Sequence, residues 1–375
     1  MDFSTSTHRR HWLLSREALR NVQERTVLLA AEACQQGTQP EGSRCFAVGK
    51  SDVAKASPRN EPYRGNTSPS GNIPPHGYTI GGVNASDGDG ERLSKKRGAA
   101  GVEPILTVEE EGLIKSQYAK MIQEICGRHS AHQDLRRSDK VQATAVAYFC
   151  RFYLSNSVLE HDPKLLILAC IFLASKTEEQ ITNVNLLAKA TGVDDLQILA
   201  KELPLLQARQ QGLSFHLSVF HPYRPLPALL EAARSRARLS AGGDLRDDRL
   251  VALHDGARAA LDDVLVTDLP FVNPPARLAL AALLREGERM GNPPFNVAVA
   301  LDQEFRGRKD WRETLRAAEK LVQEMDSLLP YQVEKDKLKA VNKIMKRHAL
   351  WSERRATGGA DGERRKSKKI KSEPA

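Results

Sequence analysis

The sequence predicts an all-α protein made of two repeated five-helix units, with additional helices at the N- and C-terminal ends. Apolar residues recur at helical spacing through most of the chain, and the strict alternation that marks a strand is nearly absent. The stretch Leu165–Ala174 is apolar on every side. It is too short to cross a bilayer, which takes about 20 residues, and suits a helix ringed by other helices. Sliding the chain by 112 residues against itself places Pro163 on Pro275, Leu166 on Leu278, Leu168 on Leu280, Ala169 on Ala281, Cys170 on Ala282 and Tyr153 on Leu265. Small residues at the middle of both units let neighbouring helices come close to a central one, as repetition of one helical module requires.

The elements follow in order. Thr7–Thr26 is expected as one amphipathic helix in which Trp12, Leu19 and Val22 share a face, with the tryptophan docking onto a preformed surface. Ala30–Cys45 gives a weak signal. Ser51–Gly101 is rich in Gly, Pro, Ser and Asn and has few large apolar residues, so it is expected as a disordered insertion. Its GGVNASDGDG run has the spacing of neither a phosphate loop nor a calcium loop. The first set of helices is Thr107–Gly127, opened by a Thr107/Glu110 capping box, then Asp139–Asn156, Pro163–Glu178, Asn183–Thr191 and Asp195 to about Gln211. Asp162 and Pro163 form the start of the third, as cap and first helical residue.

The second set is Pro222–Arg238, Leu245–Asp268, Pro275–Met290, Pro294–Phe305 and Asp310–Leu329, and a last helix covers Val333–Arg355 with Leu338, Val341, Ile344, Met345 and Leu350 along one face. The expected domains are an N-terminal helix and connection (1–50), the insertion (51–101), the first unit (102–221), the second unit (222–330), the C-terminal helix (331–356) and a basic disordered tail (357–375).

With 41% hydrophobic and 27% charged residues among 375, the composition is that of a soluble globular protein. The charge at His8–His11 argues against an export signal, and no membrane segment is read. The net charge of +9 is concentrated at one end: from Tyr331 onward there are 14 Lys and Arg against 6 Asp and Glu, a balance of +8. The remainder is close to neutral, which gives no support to sequence-specific nucleic-acid binding. The run Arg364, Arg365, Lys366, Lys368, Lys369, Lys371 reads as a nuclear localisation signal.

The five cysteines show no C-x-x-C spacing, and Cys126, Cys150 and Cys170 fall in apolar helical patterns, as buried thiols in a reducing compartment do. His129 and His132 have no third or fourth ligand to complete a metal site. With no phosphate loop, nucleophile elbow or H-E-x-x-H pair, the sequence predicts a non-enzyme that needs no cofactor.

RRHW (Arg9–Trp12), AVAYFCRFYL (Ala145–Leu154), FLASKTEE (Phe172–Glu179) and LSFHLSVFHPYRP (Leu213–Pro225) stand in the order of segments of the cyclin family, which the chain resembles. FLASK with HPYRP suits both the C-type and H-type branches. The FYLSNSV turn and the RRHW helix look like the H type. The resemblance implies a tandem cyclin fold and a regulatory subunit that binds and activates a cyclin-dependent kinase of the Cdk-activating kinase/TFIIH type. An assembly factor is implied as a further partner. Such complexes phosphorylate the repeated C-terminal tail of RNA polymerase II and the activation segments of other kinases, in the nucleus. The alternatives are a C-type Mediator kinase subunit and a TFIIB-like initiation factor. The latter needs a zinc ribbon and a basic groove that this sequence lacks.

The resemblance also implies a lysine and a glutamate that hydrogen-bond the kinase. Lys176 matches the family lysine. The family glutamate stands nine residues before the aromatic of L-x-F, which counts back from Phe215 to Leu206, whereas local sequence selects Glu202 in KELPLLQ. Four extra residues within Ala208–Gly212 would reconcile the two, rotating a continuous helix by about 400° and leaving its faces about 40° out of register. Glu178 and Glu179 are the substitutes. Pro204 is expected in the first turn of a helix beginning near Lys201, or at a kink. In the family the terminal helices pack near each other, which makes Trp12 and Trp351 the candidate docking anchors. The first unit's opening helix, EEEGLIKSQYAKMIQEIC, lacks the M-R-A-I-L patch by which cell-cycle members dock substrates.

Overall fold

Two helices that begin with proline, α5 (Pro163–Thr177) and α11 (Pro275–Arg289), are the centres around which the other helices pack. This computed structural model describes residues 3–36, 104–207, 213–241, 247–291, 296–332 and 334–348. Helices α1 (Thr7–Trp12) and α2 (Arg16–Gln36) precede the first set, which is α3 (Val108–Cys126), α4 (Asp139–Ser155), α5, α6 (Val184–Thr191) and α7 (Asp195–Leu206). The second set is α8 (Leu226–Ala241), α9 (Asp247–Leu265), the single turn α10 (Leu269–Val272), α11, α12 (Val297–Phe305) and α13 (Trp311–Leu328). Residues 335–348 form α14, and no strand occurs among the described residues. No described helix is long and apolar enough to cross a membrane. The segment 51–101, expected as an insertion, lies outside the described residues.

The two central helices are built alike. Asp162 caps α5 by accepting from the Lys164 amide at 2.9 Å, and Pro163 and Pro275 sit at the helix starts, where a missing amide proton costs nothing. Each helix buries ten of its fifteen residues, so neither has a free face. Ala169, Cys170, Ala281 and Ala282 are completely buried and admit the neighbouring backbones: α3, α4 and α7 around α5, and α8, α9, α12 and α13 around α11. One continuous core joins the two sets.

A polar network crosses between the sets. Asp262 on α9 accepts from Arg128 at 3.0 Å, from Gln142 at 3.2 Å and from the Tyr223 hydroxyl. Arg258 pairs with Asp139, and the Ser116 hydroxyl donates to the Val266 carbonyl at 2.9 Å. Arg128 and Arg258 are thus each paired with a carboxylate at the junction.

Three helix assignments need correction. The expected helix Thr7–Thr26 is two helices, because Leu13 is extended and the Leu14 amide donates to the Phe271 carbonyl at 2.7 Å instead of to its own helix. The Ser15 side chain then caps α2 through the Ala18 amide at 3.1 Å, and α2 runs on through the weak-signal region to Gln36. Trp12, Leu19 and Val22 still meet in one cluster. Helix α7 ends at Leu206, not near Gln211, and Pro204 lies in its last turn, with no new helix beginning near Lys201. The two carbonyls left open there are served by the chain beyond the extra residues: Leu213 N–H donates to Leu205 O at 2.9 Å and Phe215 N–H to Leu206 O at 3.2 Å. The extra residues, within 208–212, lie outside the described residues.

Candidate functional site

The end of α5 is shaped by its backbone. Glu179 N–H donates to Lys176 O at 3.3 Å and Gln180 N–H to Ser175 O at 2.8 Å, the Schellman pattern that closes a helix through a left-handed residue. That residue is Glu179, at φ +58°, where glycine is the usual occupant. Gln180 then locks the corner onto the start of α4, its amide nitrogen donating to Ser138 Oγ at 2.7 Å and its oxygen accepting from Ser138 N at 3.0 Å. The start of α5 is held as firmly. Buried Glu111 on α3 accepts from the Ser157 hydroxyl and from Val158 N at 3.2 Å, fixing the FYLSNSV turn, while the Tyr153 hydroxyl donates to His161 O at 2.7 Å.

On this rigid frame Lys176, in the last turn of α5, donates to Glu202 of α7 and lies 4.4 Å from the centroid of the Phe172 ring. Both side chains are accessible, Lys176 at 38% and Glu202 at 21%. An exposed pair of this kind contributes little to folding, about 0–1 kcal/mol. Around it is apolar surface of the kind a folded chain normally buries. Leu196, Leu199 and Leu203 share one face of α7 at 68%, 38% and 56% exposure, while Ile198 and Leu205 on its opposite side are fully buried. Phe215 is 61% exposed and is presented by two successive left-handed residues, Ser214 at φ +51° and Phe215 itself at φ +55°. Ile181, at 81%, extends the rim beyond the α5 corner. A charged pair set within apolar side chains is the make-up of a partner-binding surface, with a polar element for register and area for affinity.

Of the four residues the sequence proposed here, the structure pairs Lys176 with Glu202. Glu178 turns toward α4, accepts from Thr144 Oγ1 at 2.8 Å and borders a groove of about 1210 Å³ between the two helix sets. Glu179 is exposed at the left-handed corner. The apolar rim was missed, although DLQILAKELPLL carries two apolar stripes on one helix, more than a helix needs to pack against a single neighbour.

Trp12 is 9% exposed, packs with Leu19, Leu154 and Phe271, and lies 5.0 Å from the Arg151 guanidinium. Trp351 and the basic run Arg364–Lys371 lie outside the described residues. The terminal helices do meet, with Cys34 Sγ of α2 3.0 Å from His348 Nε2 of α14, and Val341 of α14 is buried in the core. None of the four described cysteines is in a disulfide; Cys126 and Cys170 are buried and Cys34 and Cys150 partly so. Among the described residues no group of three or more His, Cys, Asp or Glu side chains is placed to hold a metal.

The family pattern described as the cyclin N-terminal domain matches residues 117–215, which include the α5 and α7 faces above. The chain is 34% identical to cyclin-H1-1 of Arabidopsis thaliana over 199 residues, 52% of this chain and 53% of that protein. It is 30% identical to cyclin-C1-1 of Arabidopsis thaliana over 200 residues, 51% of this chain and 67% of that protein. It thus spans about half the length of the first and two thirds of the second. Among solved structures it is similar to a chain of the CAK complex of Chaetomium thermophilum bound to ATP-gamma-S, with a TM-score of 0.62 and 22% identity, covering 92% of this chain and 88% of the other.

Proposed function

Because the chain belongs to the cyclin family, whose members are regulatory subunits of kinases, we propose that it binds and activates a cyclin-dependent kinase of the CAK/TFIIH type through the surface centred on Lys176 and Glu202. The observation that supports this reading is the paired Lys176 and Glu202 set among Leu196, Leu199, Leu203 and Phe215, on a helix end fixed by Gln180 and Ser138. A rigid face of this kind can hold a kinase's mobile C helix in its active position. Ordering that helix completes the kinase's internal Lys and Glu ion pair, which selects the competent state from those the free kinase samples.

The substrates of such a kinase would be the repeated tail of RNA polymerase II and the activation segments of other kinases. The site of action would be the nucleus, and an assembly factor would be a third subunit. A C-type role beside the Mediator kinase is the second reading, favoured by the larger fraction of cyclin-C1-1 that the chain spans. Co-expression of the full chain with each kinase separates the two. The expected result is a stable complex and raised activity with the CAK/TFIIH kinase. Capture of the Mediator kinase alone would select the second reading, and no complex with either kinase would overturn both.

A further inference from the structure

Behind Trp12, between α1, α4 and the segment leading to α8, is a cavity of about 40 Å³. It has room for about three water-sized spheres of ~10–15 Å³ each. Its polar lining is His8, Trp12, Arg151, His221, Thr267 and Asn273, and the rest is apolar. Trp12 Nε1, Arg151 Nη2 and His221 Nδ1 are all buried there without a hydrogen-bond partner. Unsatisfied buried donors are rare in folded proteins, and the Trp12 and Arg151 N–H groups, which donate in every state, call for a ligand that accepts from both, with the His221 ring beside them.

The charge points the same way. Arg151 is 2% exposed, and its Nη1 is committed to the backbone carbonyls of Ser218 at 3.2 Å and His216 at 3.5 Å. No carboxylate is among the groups that hold its charge, and burial lowers its pKa to about 9. His8 adds no negative charge. Its Nδ1 accepts from Phe220 N–H at 3.0 Å, which leaves the ring proton on Nε2, and burial together with Arg151 keeps it neutral down to a pKa of about 3.

Water would bring two hydrogens that need acceptors. The Thr267 hydroxyl already donates to Val264 O at 2.7 Å and accepts from Leu269 N–H at 3.2 Å, so Asn273 Oδ1 is the one side-chain oxygen in the lining without such commitments. Two unpaired donors, one of them on a buried cation with no carboxylate among the groups that hold its charge, fit an acceptor that carries charge. We propose that this cavity is a binding site for a small monatomic anion of the halide class, held by Arg151, Trp12 and His221. His221 also borders the open groove between the helix sets, which gives the ion its route from solvent. The bound ion joins the N-terminal helix to the first unit and to the connection between the units.

The test uses the full chain. Its thermal unfolding midpoint is measured in sodium chloride and sodium bromide against sodium gluconate at matched ionic strength. The expected result is a saturable rise of about 2–4 °C in halide, lost in Arg151→Met. If Arg151→Met does not fold, His221→Phe keeps the test open, with a reduced halide shift expected. Crystals grown in bromide should show an anomalous peak in the cavity. Equal midpoints in halide and gluconate, a shift that persists in both variants, or a cavity without an anomalous peak would each overturn the proposal.

Discussion

The Lys176 ammonium, at the last turn of α5, reaches across to the Glu202 carboxylate on α7 and sits over the Phe172 ring, so one lysine joins two helices at the edge of the first unit. Both helices are already held by fully buried faces, and the pair is dispensable for folding. Lys176→Ala is expected to weaken kinase binding and activation about tenfold or more, as loss of a central interface contact does. The unfolding free energy should change by no more than about 1 kcal/mol. Titration of the kinase with variant chain, beside a urea melt, checks both parts. A large stability loss with unchanged activation would make the lysine structural.

Glu179 gives the opposite expectation. Its left-handed backbone costs an L residue about 1 kcal/mol, and its carboxylate has no role in closing the helix. Glu179→Gly should therefore raise stability by about that amount while kinase activation stays at the wild-type level. Activation that falls with Glu179→Gly would restore this residue to the interface.

The central helices predict matched core penalties. Leu168 and Leu280 occupy equivalent positions of α5 and α11 and are 1% and 2% exposed. Leu168→Ala and Leu280→Ala should each cost about 2–5 kcal/mol through the cavity left behind. Urea melts of both variants measure this. A cost below about 1 kcal/mol at either position would remove that helix from the centre of its unit.

Acid should destabilise the chain through its buried histidines. Burial, with Arg151 nearby, lowers His8 to about 3, and burial, with Lys201, lowers His161 to about 4, so both stay neutral in the fold where the unfolded chain protonates near 6.5. Below pH 6.5 the unfolded state binds the extra protons, and stability falls as pH drops; above 6.5 the contribution is flat. Each histidine adds a loss of about 1 kcal/mol per pH unit between 6.5 and 5. The measurement is the urea midpoint across that window for wild type and for His161→Leu, whose slope should be shallower. An identical slope would contradict the assignment.

Much of this was legible in the chain. The Thr107/Glu110 box forms in both directions, at 3.2 Å and 2.8 Å, and the Asp162 and Pro163 start and the all-apolar α5 were readable because local chemistry alone sets them. What escaped depends on distant partners. The break after Trp12 exists because Phe271 takes the Leu14 amide, although Ser15 carried the cap signal. Glu111 sits in a run of three glutamates that reads as a solvated first turn, yet it is buried under Ser157. Its spacing to Ile114 and Ile122 marked the apolar face. Of the proposed site, the lysine and glutamate were named from sequence, while the leucine rim around them became visible only once one face of α7 was seen to be filled by the core.

That rim carries the most direct test. Leu199→Glu with Leu203→Glu places two charges on the exposed face of α7 and leaves Ile198 and Leu205 in the core. The full-length double variant and wild type are each titrated with the kinase by calorimetry, with urea melts run in parallel. The account predicts a variant within about 0.5 kcal/mol of wild-type stability that forms no measurable complex. A variant that binds the kinase with wild-type affinity would contradict it.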